Sequence, residues 1–442
     1  MSDMKDLAKA MKALEDQLVT CMRCGMCQSV CPLFDQTRKE SDVARGKIVL
    51  LESLMEEMFD NPHGVNERLN KCLLCGSCAA NCPSGVNVTQ IFIEARAVIT
   101  TYLKLPFYKK VVFRKMLARP QVFDKLISMG ARIQKVFLSK PDSHTGTAKV
   151  KVLAPILKSR RIMPIADLSF QKKADALITG KKTTGDRVAL FTGCLIDKIF
   201  PNVGVAAVKA LLHNNARVHI PKNQGCCAIP ALASGDKDTF LELVNHNIAL
   251  FPPHRFDYLV TACATCTSTI KKLWPAMLED QDPQLAEQVR HLSDKTLDIS
   301  QYLVDVAGLA PLPETAALQS TEDDPRIVTY HDPCHLAKSL GVRQQPRTLL
   351  NACSGYTFKE MTEPDRCCGM GGSFNLYHYD LSEKIGTVKA GQIADTGCHT
   401  LATSCPACMM QISDMLSKAD KKIYIKHPIE LYTEGLDSDE PA

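Results

Sequence analysis

Long apolar runs are missing from this chain: nowhere in its 442 residues do the ~18–20 uncharged apolar residues needed to cross a bilayer follow one another. That excludes a membrane-spanning helix from the reading. The first twenty residues carry Asp3, Asp6, Glu15 and Asp16 and no apolar core, so no secretory leader is expected. A dinucleotide fingerprint is also lacking, because the run from Gly369 to Gly372 has neither the GxGxxG spacing nor an acidic ribose ligand downstream. No FAD or NAD site is therefore expected on this chain. No recognition motif or patterned aromatic platform accompanies the basic residues, which argues against nucleic acid as a partner. Cysteine is plentiful, yet the 20 cysteines in 442 residues are about 4.5%, short of the ~8–10% of small disulfide scaffolds. Their clustering predicts metal ligation in a reducing, cytoplasmic setting.

Eighteen of those cysteines fall into four groups. Cys21, Cys24, Cys27 and Cys31 are followed by Pro32, and the same CxxCxxCxxxCP run returns as Cys72, Cys75, Cys78 and Cys82 before Pro83. Downstream come Cys194, the doublet Cys226/Cys227 and the pair Cys263/Cys266, and then Cys334, Cys367/Cys368 and Cys405/Cys408. Cys334 lies 140 positions after Cys194, with offsets of 141 for the doublets and 142 for the pairs, so the two halves read as an internal duplication. In each half a β-prone run leads directly into a cysteine: 187–193 before Cys194, 258–262 before Cys263, 326–333 before Cys334 and 400–404 before Cys405. Helical patterns over 203–212 and 381–393 follow some of these runs, which predicts α/β units with parallel strands and cysteines at the strands' carboxyl ends.

The CxxCxxCxxxCP run has a specific chemical meaning. Three thiolates on one tight loop grip a [4Fe–4S] cubane, while the fourth, turned away by proline, reaches a neighbouring cluster. With two runs the assignment crosses over: Cys21, Cys24 and Cys27 with Cys82, and Cys72, Cys75 and Cys78 with Cys31. Two independent four-thiolate zinc sites are the alternative, disfavoured because zinc sites pair separated CxxC knuckles.

This first region resembles the helical ferredoxin domain of succinate dehydrogenase iron–sulfur subunits and of the small subunit of heterodisulfide reductase. The later groups resemble the cysteine-rich CCG domain, C-x(31–39)-CC-x(35–36)-CxxC. The spacings here are 31 and 35 residues in the first copy and 32 and 36 in the second, with Ala228 standing where the second copy has Gly369. The resemblance implies that all five cysteines of a motif (Cys194, Cys226, Cys227, Cys263, Cys266; and Cys334, Cys367, Cys368, Cys405, Cys408) hold a cluster of non-cubane geometry. One or two further [4Fe–4S] clusters follow from it.

The order of modules resembles the iron–sulfur subunit of glycolate oxidase and related D-lactate and glycerol-3-phosphate dehydrogenases. It implies a multidomain α+β and α/β fold: an α-helical ferredoxin-like domain over 1–100, a basic helical connector over 101–185, and two pseudo-repeated α/β CCG modules over 186–310 and 325–437. It implies also that a separate FAD-binding 2-hydroxyacid dehydrogenase subunit is the partner, that a quinone or membrane electron carrier accepts the electrons, and that no catalytic residue lies on this chain. The same modules resemble the fused catalytic subunit of heterodisulfide reductase, in which the CCG clusters act on a disulfide; the intact Cys263/Cys266 and Cys405/Cys408 pairs favour that alternative.

Charge adds one feature. Residues 101–182 hold 19 Lys/Arg against 4 Asp/Glu, and the basic residues of 107–118 interleave with apolar ones at helical spacing. This suits either a solvated linker or peripheral contact with an anionic membrane face. Prolines at 106, 120, 141, 155 and 164 predict several short helices there. His331, His335, His399 and His427 read as packing or local hydrogen bonding, and Cys353 and Cys398 as buried structural thiols.

Overall fold

The computed structural model describes residues 4–139, 147–148, 159–279, 282–312, 326–353 and 355–437. Most of the acidic linker expected before residue 325 lies outside the described residues, as do Pro141 and Pro155. The chain forms two compact units that do not follow sequence order. One gathers residues 1–118, 228–243 and 366–386; the other gathers 119–227, 244–365 and 387–442.

The first unit is helical. Helices Met4–Met11, Ala44–Met55, His63–Asn70 and Val88–Leu103 bury Leu7, Met11, Ile48, Leu51, Leu69, Phe92 and Ile99 in one core. Ile48, Leu51 and Met55 recur every three to four residues, which puts them on one stripe of their helix. Asn87 starts the Val88–Leu103 helix by accepting a hydrogen bond from Gln90 N. The two cysteine runs are copies in backbone as well as in sequence: Gly25 and Gly76 take φ of +87° and +71°, and two residues earlier Arg23 and Leu74 take +55° and +54°. A left-handed non-glycine residue costs roughly 1–2 kcal/mol, a strain typical of loops shaped around a ligand.

Two distant segments complete this unit. In 228–243, Gly235 lies so close to the Val88–Leu103 helix that a Cβ would sit 2.5 Å from Arg96 O and 2.3 Å from Thr100 Oγ1, so only glycine fits. Arg96 Nη1 donates to Ala233 O at 2.8 Å, and Arg114 pairs with the buried Asp236 at 3.0 Å. In 366–386, Arg366 pairs with Asp35 at 2.7 Å, and Phe374 and Ile385 pack with Leu33 and Leu73.

The second unit carries two four-stranded sheets, all parallel. The first contains β1 (Arg187–Phe191), β2 (Arg217–His219), β3 (Tyr258–Thr261) and β4 (Thr296–Asp298), in spatial order β2-β1-β3-β4. The second contains β5 (Ile327–Tyr330), β6 (Thr357–Phe358), β7 (Thr400–Ala402) and β8 (Tyr424–Lys426), in the order β6-β5-β7-β8. The two orders are the same with every label advanced by four, so the duplication read from the cysteines extends to topology. Central strands β1 and β3 are near-continuous apolar runs, as expected of strands covered on both faces. Their register is fixed at one end by Arg187, whose backbone N–H and guanidinium both bond to Asp257 just before β3. Helices Pro201–His213 and Pro406–Lys418 cross between strands, and their prolines sit in the first turn, where no amide hydrogen is needed.

Between the cysteine runs and the sheets, the expected short helices are present as Phe107–Lys110, Val111–Leu117 and Phe170–Ile178, with one longer helix among them. Pro120 opens an 18-residue helix, Pro120–Phe137, instead of breaking one. The physical reason is the same first-turn tolerance that the sheet-flanking helices use.

Candidate metal centres

In the first unit the eight cysteines of the two runs surround two cavities. One is lined by Cys31, Cys72, Cys75 and Cys78; the other by Cys21, Cys24, Cys27 and Cys82, with Cys78 lining both. Each cavity thus takes three cysteines from one run and reaches the last of the other, Cys31 or Cys82, with Cys78 shared. Backbone amides point at the sulfurs: Phe34 N lies 3.5 Å from Cys31 Sγ, Leu74 N 3.4 Å from Cys72 Sγ and Val86 N 3.4 Å from Cys82 Sγ. The donor set, thiolates from two CxxCxxCxxxCP runs brought together, fits a cluster.

The two cavities differ in charge and exposure. Lys47, 1% exposed, stands beside Cys31 and Cys72 and donates to Asp42 O; burial lowers its pKa. Arg96, 2% exposed, donates to Cys72 O at 2.8 Å and to Leu69 O. Lys47 and Asp42 line the Cys31/Cys72/Cys75/Cys78 cavity, while Arg96 braces it from behind through the backbone of Cys72. Without metal, burial pushes the Cys31 thiol up to about 12 and Cys78 well above the ordinary value. The other cavity is nearer solvent: Cys24 is exposed and so are Met22 and Met26. Sequence reasoning missed Lys47, although its place between Val43 and Ile48 in an apolar helical pattern was the available signal.

The first CCG motif lies wholly in the second unit. Cys194 and Cys226 are 3.8 Å apart at sulfur, and hydrogen bonding with Cys194 and Cys227, together with burial, raises Cys226 well above the ordinary thiol value. Cys266 is within hydrogen-bonding reach of Cys227 and Cys263, so the five thiols form one continuous group. Their framework is rigid. Asn247 Nδ2 donates to Cys226 O at 2.9 Å, Trp274 Nε1 to Cys227 O at 3.0 Å, and Cys263 N to Thr261 Oγ1 at 3.0 Å. Gly193, with φ of +64°, comes so near that a Cβ would lie 2.9 Å from Cys266 Sγ. Ala228 after the doublet takes φ of +73°, the counterpart of +90° at Gly369, so the alanine keeps the glycine conformation despite its cost.

Of the second motif, Cys334, Cys405 and Cys408 lie in the second unit and Cys367 and Cys368 in the first. Cys405 adjoins the first motif: hydrogen bonds from Cys263 and Cys408 hold it well below the ordinary thiol value, and Thr265 Oγ1 is 3.3 Å from its sulfur. His335 Nδ1 is 3.0 Å from the same Thr265 hydroxyl. In the first unit Cys367 belongs to the apolar cluster of Leu33, Leu73, Phe374 and Ile385, against which Cys31 and Cys75 also pack. Gly369 N lies 3.4 Å from Cys367 Sγ. The two cysteines outside the pattern are placed apart: Cys353 Sγ bonds to Leu349 O and Cys398 Sγ to Ile393 O, both buried.

Comparison with known proteins decides the family. Residues 17–86 match the 4Fe-4S dicluster domain, and residues 188–271 and 328–413 both match the cysteine-rich domain. Lactate utilization protein A of Bacillus cytotoxicus is 31% identical over 245 residues, covering 55% of this chain and 98% of that protein. The chain belongs to the family of lactate utilization protein A. The probable glycolate oxidase iron–sulfur subunit of Bacillus subtilis is 29% identical over 90% of this chain and 89% of that one. A subunit of the CoM/CoB fumarate reductase of Methanothermobacter marburgensis is 29% identical over 90% of this chain and 68% of its own length. The chain is thus an electron-transfer iron–sulfur component of an oxidoreductase complex. Among the described residues no helix is long and apolar enough to cross a membrane.

Proposed function

We propose that this subunit relays electrons between an FAD-binding 2-hydroxyacid dehydrogenase subunit, acting on D-lactate or glycolate, and a quinone or other acceptor. The observation that carries this is the pair of cavities that mix the two runs, one lined by Cys72, Cys75, Cys78 and Cys31, the other by Cys21, Cys24, Cys27 and Cys82 with the shared Cys78. Cys21, Cys24, Cys27 and Cys82 would hold one [4Fe–4S] cubane and Cys72, Cys75, Cys78 and Cys31 the second. Cys194, Cys226, Cys227, Cys263 and Cys266 would hold a further, non-cubane centre, and Cys334, Cys367, Cys368, Cys405 and Cys408 another. Such clusters supply one-electron storage at potentials set by burial, charge and hydrogen bonds to sulfur. The protein's own part is to orient the thiolates, aim amides and cations at them, and keep water out. Peripheral contact with a membrane, where a quinone resides, is supported by an exposed apolar stripe on the Pro120–Phe137 helix.

A second reading has its own support. All five thiols of the first motif form one group, terminal pair included, which suits a heterodisulfide-reductase-like centre working on a disulfide directly. Anaerobic affinity purification from the native host separates the two. A stoichiometric flavoprotein and cluster reduction by D-lactate or glycolate establish the relay. Purification without flavin, with reduction of a heterodisulfide, overturns it in favour of the second reading.

A further inference from the structure

His331 follows β5 and is 1% exposed. Its Nδ1 lies 3.1 Å from Pro364 O. A carbonyl only accepts, so Nδ1 carries the proton and the lone pair stands on Nε2. That Nε2 is buried and has no hydrogen-bond partner among the described residues. A buried polar atom left unpaired costs about 1–3 kcal/mol, so its retention calls for a cause. The imidazole has a thiol neighbour: a ring nitrogen of His331 and Cys408 Sγ lie within 4.8 Å. Two donors on one tetrahedral first-row metal, at ~2.1 Å for nitrogen and ~2.3 Å for sulfur, stand about 3.6 Å apart. The site is therefore within about 1 Å of ligand spacing.

The first copy supplies an internal control. Leu190 stands opposite Val260 across β1 and β3, and Tyr330 opposite Ala402 across β5 and β7. Val260 and Ala402 each lie three residues before the first cysteine of their CxxC pair, so the residue after Leu190 and the residue after Tyr330 are equivalent. They are Phe191 and His331. The fold accepts a phenyl ring at this position, so an imidazole is not required for packing.

We propose that His331 Nε2 is an iron ligand of the second CCG centre, on the iron that Cys408 also binds, giving that centre mixed cysteine and histidine ligation while the first centre, with Phe191, has thiolates alone. The inference rests on the reading above that iron occupies the second motif. A neutral imidazole added beside the thiolates leaves the charge of the centre unchanged but alters the donor set and geometry of one iron, and the protein tunes a cluster's potential through its ligands and their surroundings. The two CCG centres would accordingly differ in potential despite their common fold.

The test is pulsed EPR on the full-length, anaerobically purified, reduced chain, with natural-abundance and ¹⁵N-histidine samples side by side. The expected result is the strong hyperfine coupling of a directly bound nitrogen, converted to that of ¹⁵N by the label and absent from His331→Phe, the residue the first copy already accommodates. Iron content of the wild type against Cys405→Ser/Cys408→Ser is measured in parallel. Iron lost from that variant, with no histidine coupling in the wild type, overturns the role of His331 alone. A coupling that survives His331→Phe does the same. Iron unchanged in the double-serine variant overturns occupancy of the second motif, and the inference with it.

Discussion

Lys47 shows how much a single side chain sets in this protein. Its ammonium is buried beside Cys31 and Cys72, where the surrounding protein screens it far less than water would. A cation fixed there favours the more negative, reduced form of whatever cluster Cys31, Cys72, Cys75 and Cys78 hold. Lys47→Met should therefore lower that cluster's midpoint by about 60 mV or more, a tenfold change in a one-electron equilibrium. Lys47→Arg should keep most of the potential. The Cys21/Cys24/Cys27/Cys82 cluster, whose lining lacks Lys47, should move little. An EPR-monitored redox titration of the three proteins reads this directly, and equal shifts of both clusters would remove the local role of Lys47. The cysteines themselves were legible in the sequence because their spacing is the chemistry. Lys47 and His331 were not, because a lysine or histidine gains its meaning only from what burial places around it.

At the scale of elements, the runs that lead into cysteines were legible and their partners were not. Strands β1, β3, β5 and β7 are apolar enough to announce themselves. The edge strands β2, β4, β6 and β8 are two or three residues long, and Arg217–His219 or Thr357–Phe358 carries no alternation to read. The basic region was legible as charge, but its structure follows from prolines used as helix starters. On the Pro120–Phe137 helix, Val122, Leu126, Met129 and Ile133 are all exposed at spacings of four, three and four, with exposed Lys125 and Arg132 alongside. An apolar stripe flanked by cations suits the headgroup layer of an anionic bilayer. Vesicles of phosphatidylglycerol should therefore sediment the protein and those of phosphatidylcholine should not, with added salt weakening the effect. Leu126→Glu/Met129→Glu should weaken that binding about tenfold or more, since each buried side chain is worth roughly 1.5–3 kcal/mol. Undiminished binding by the double variant would mean that the stripe is not the contact.

At the scale of the whole molecule, the sequence reads as four consecutive segments, whereas contacts group the residues otherwise. The segments after the two doublets, 228–243 and 366–386, belong to the same unit as the ferredoxin-type runs. Nothing in local periodicity announces that Arg96 will bond to Ala233, or Asp35 to Arg366, across 137 and 331 positions. The consequence is functional. Within the first unit Cys31 and Cys75 pack on the apolar cluster that contains Cys367, so two cysteines of the ferredoxin-type runs and a CCG cysteine share one apolar patch. Electrons entering from a flavoprotein would then leave the Cys75 cluster toward the second CCG motif. Cys75→Ser should leave reduction of the partner's flavin by hydroxyacid intact in the assembled complex, while electron delivery to the acceptor falls by at least ~100-fold, the upper range for losing even an outer-shell partner of a metal site. Stopped-flow absorbance separates the two steps. Flavin that no longer reduces would place Cys75 in assembly of the complex, and unimpaired delivery would mean that the route bypasses this cluster.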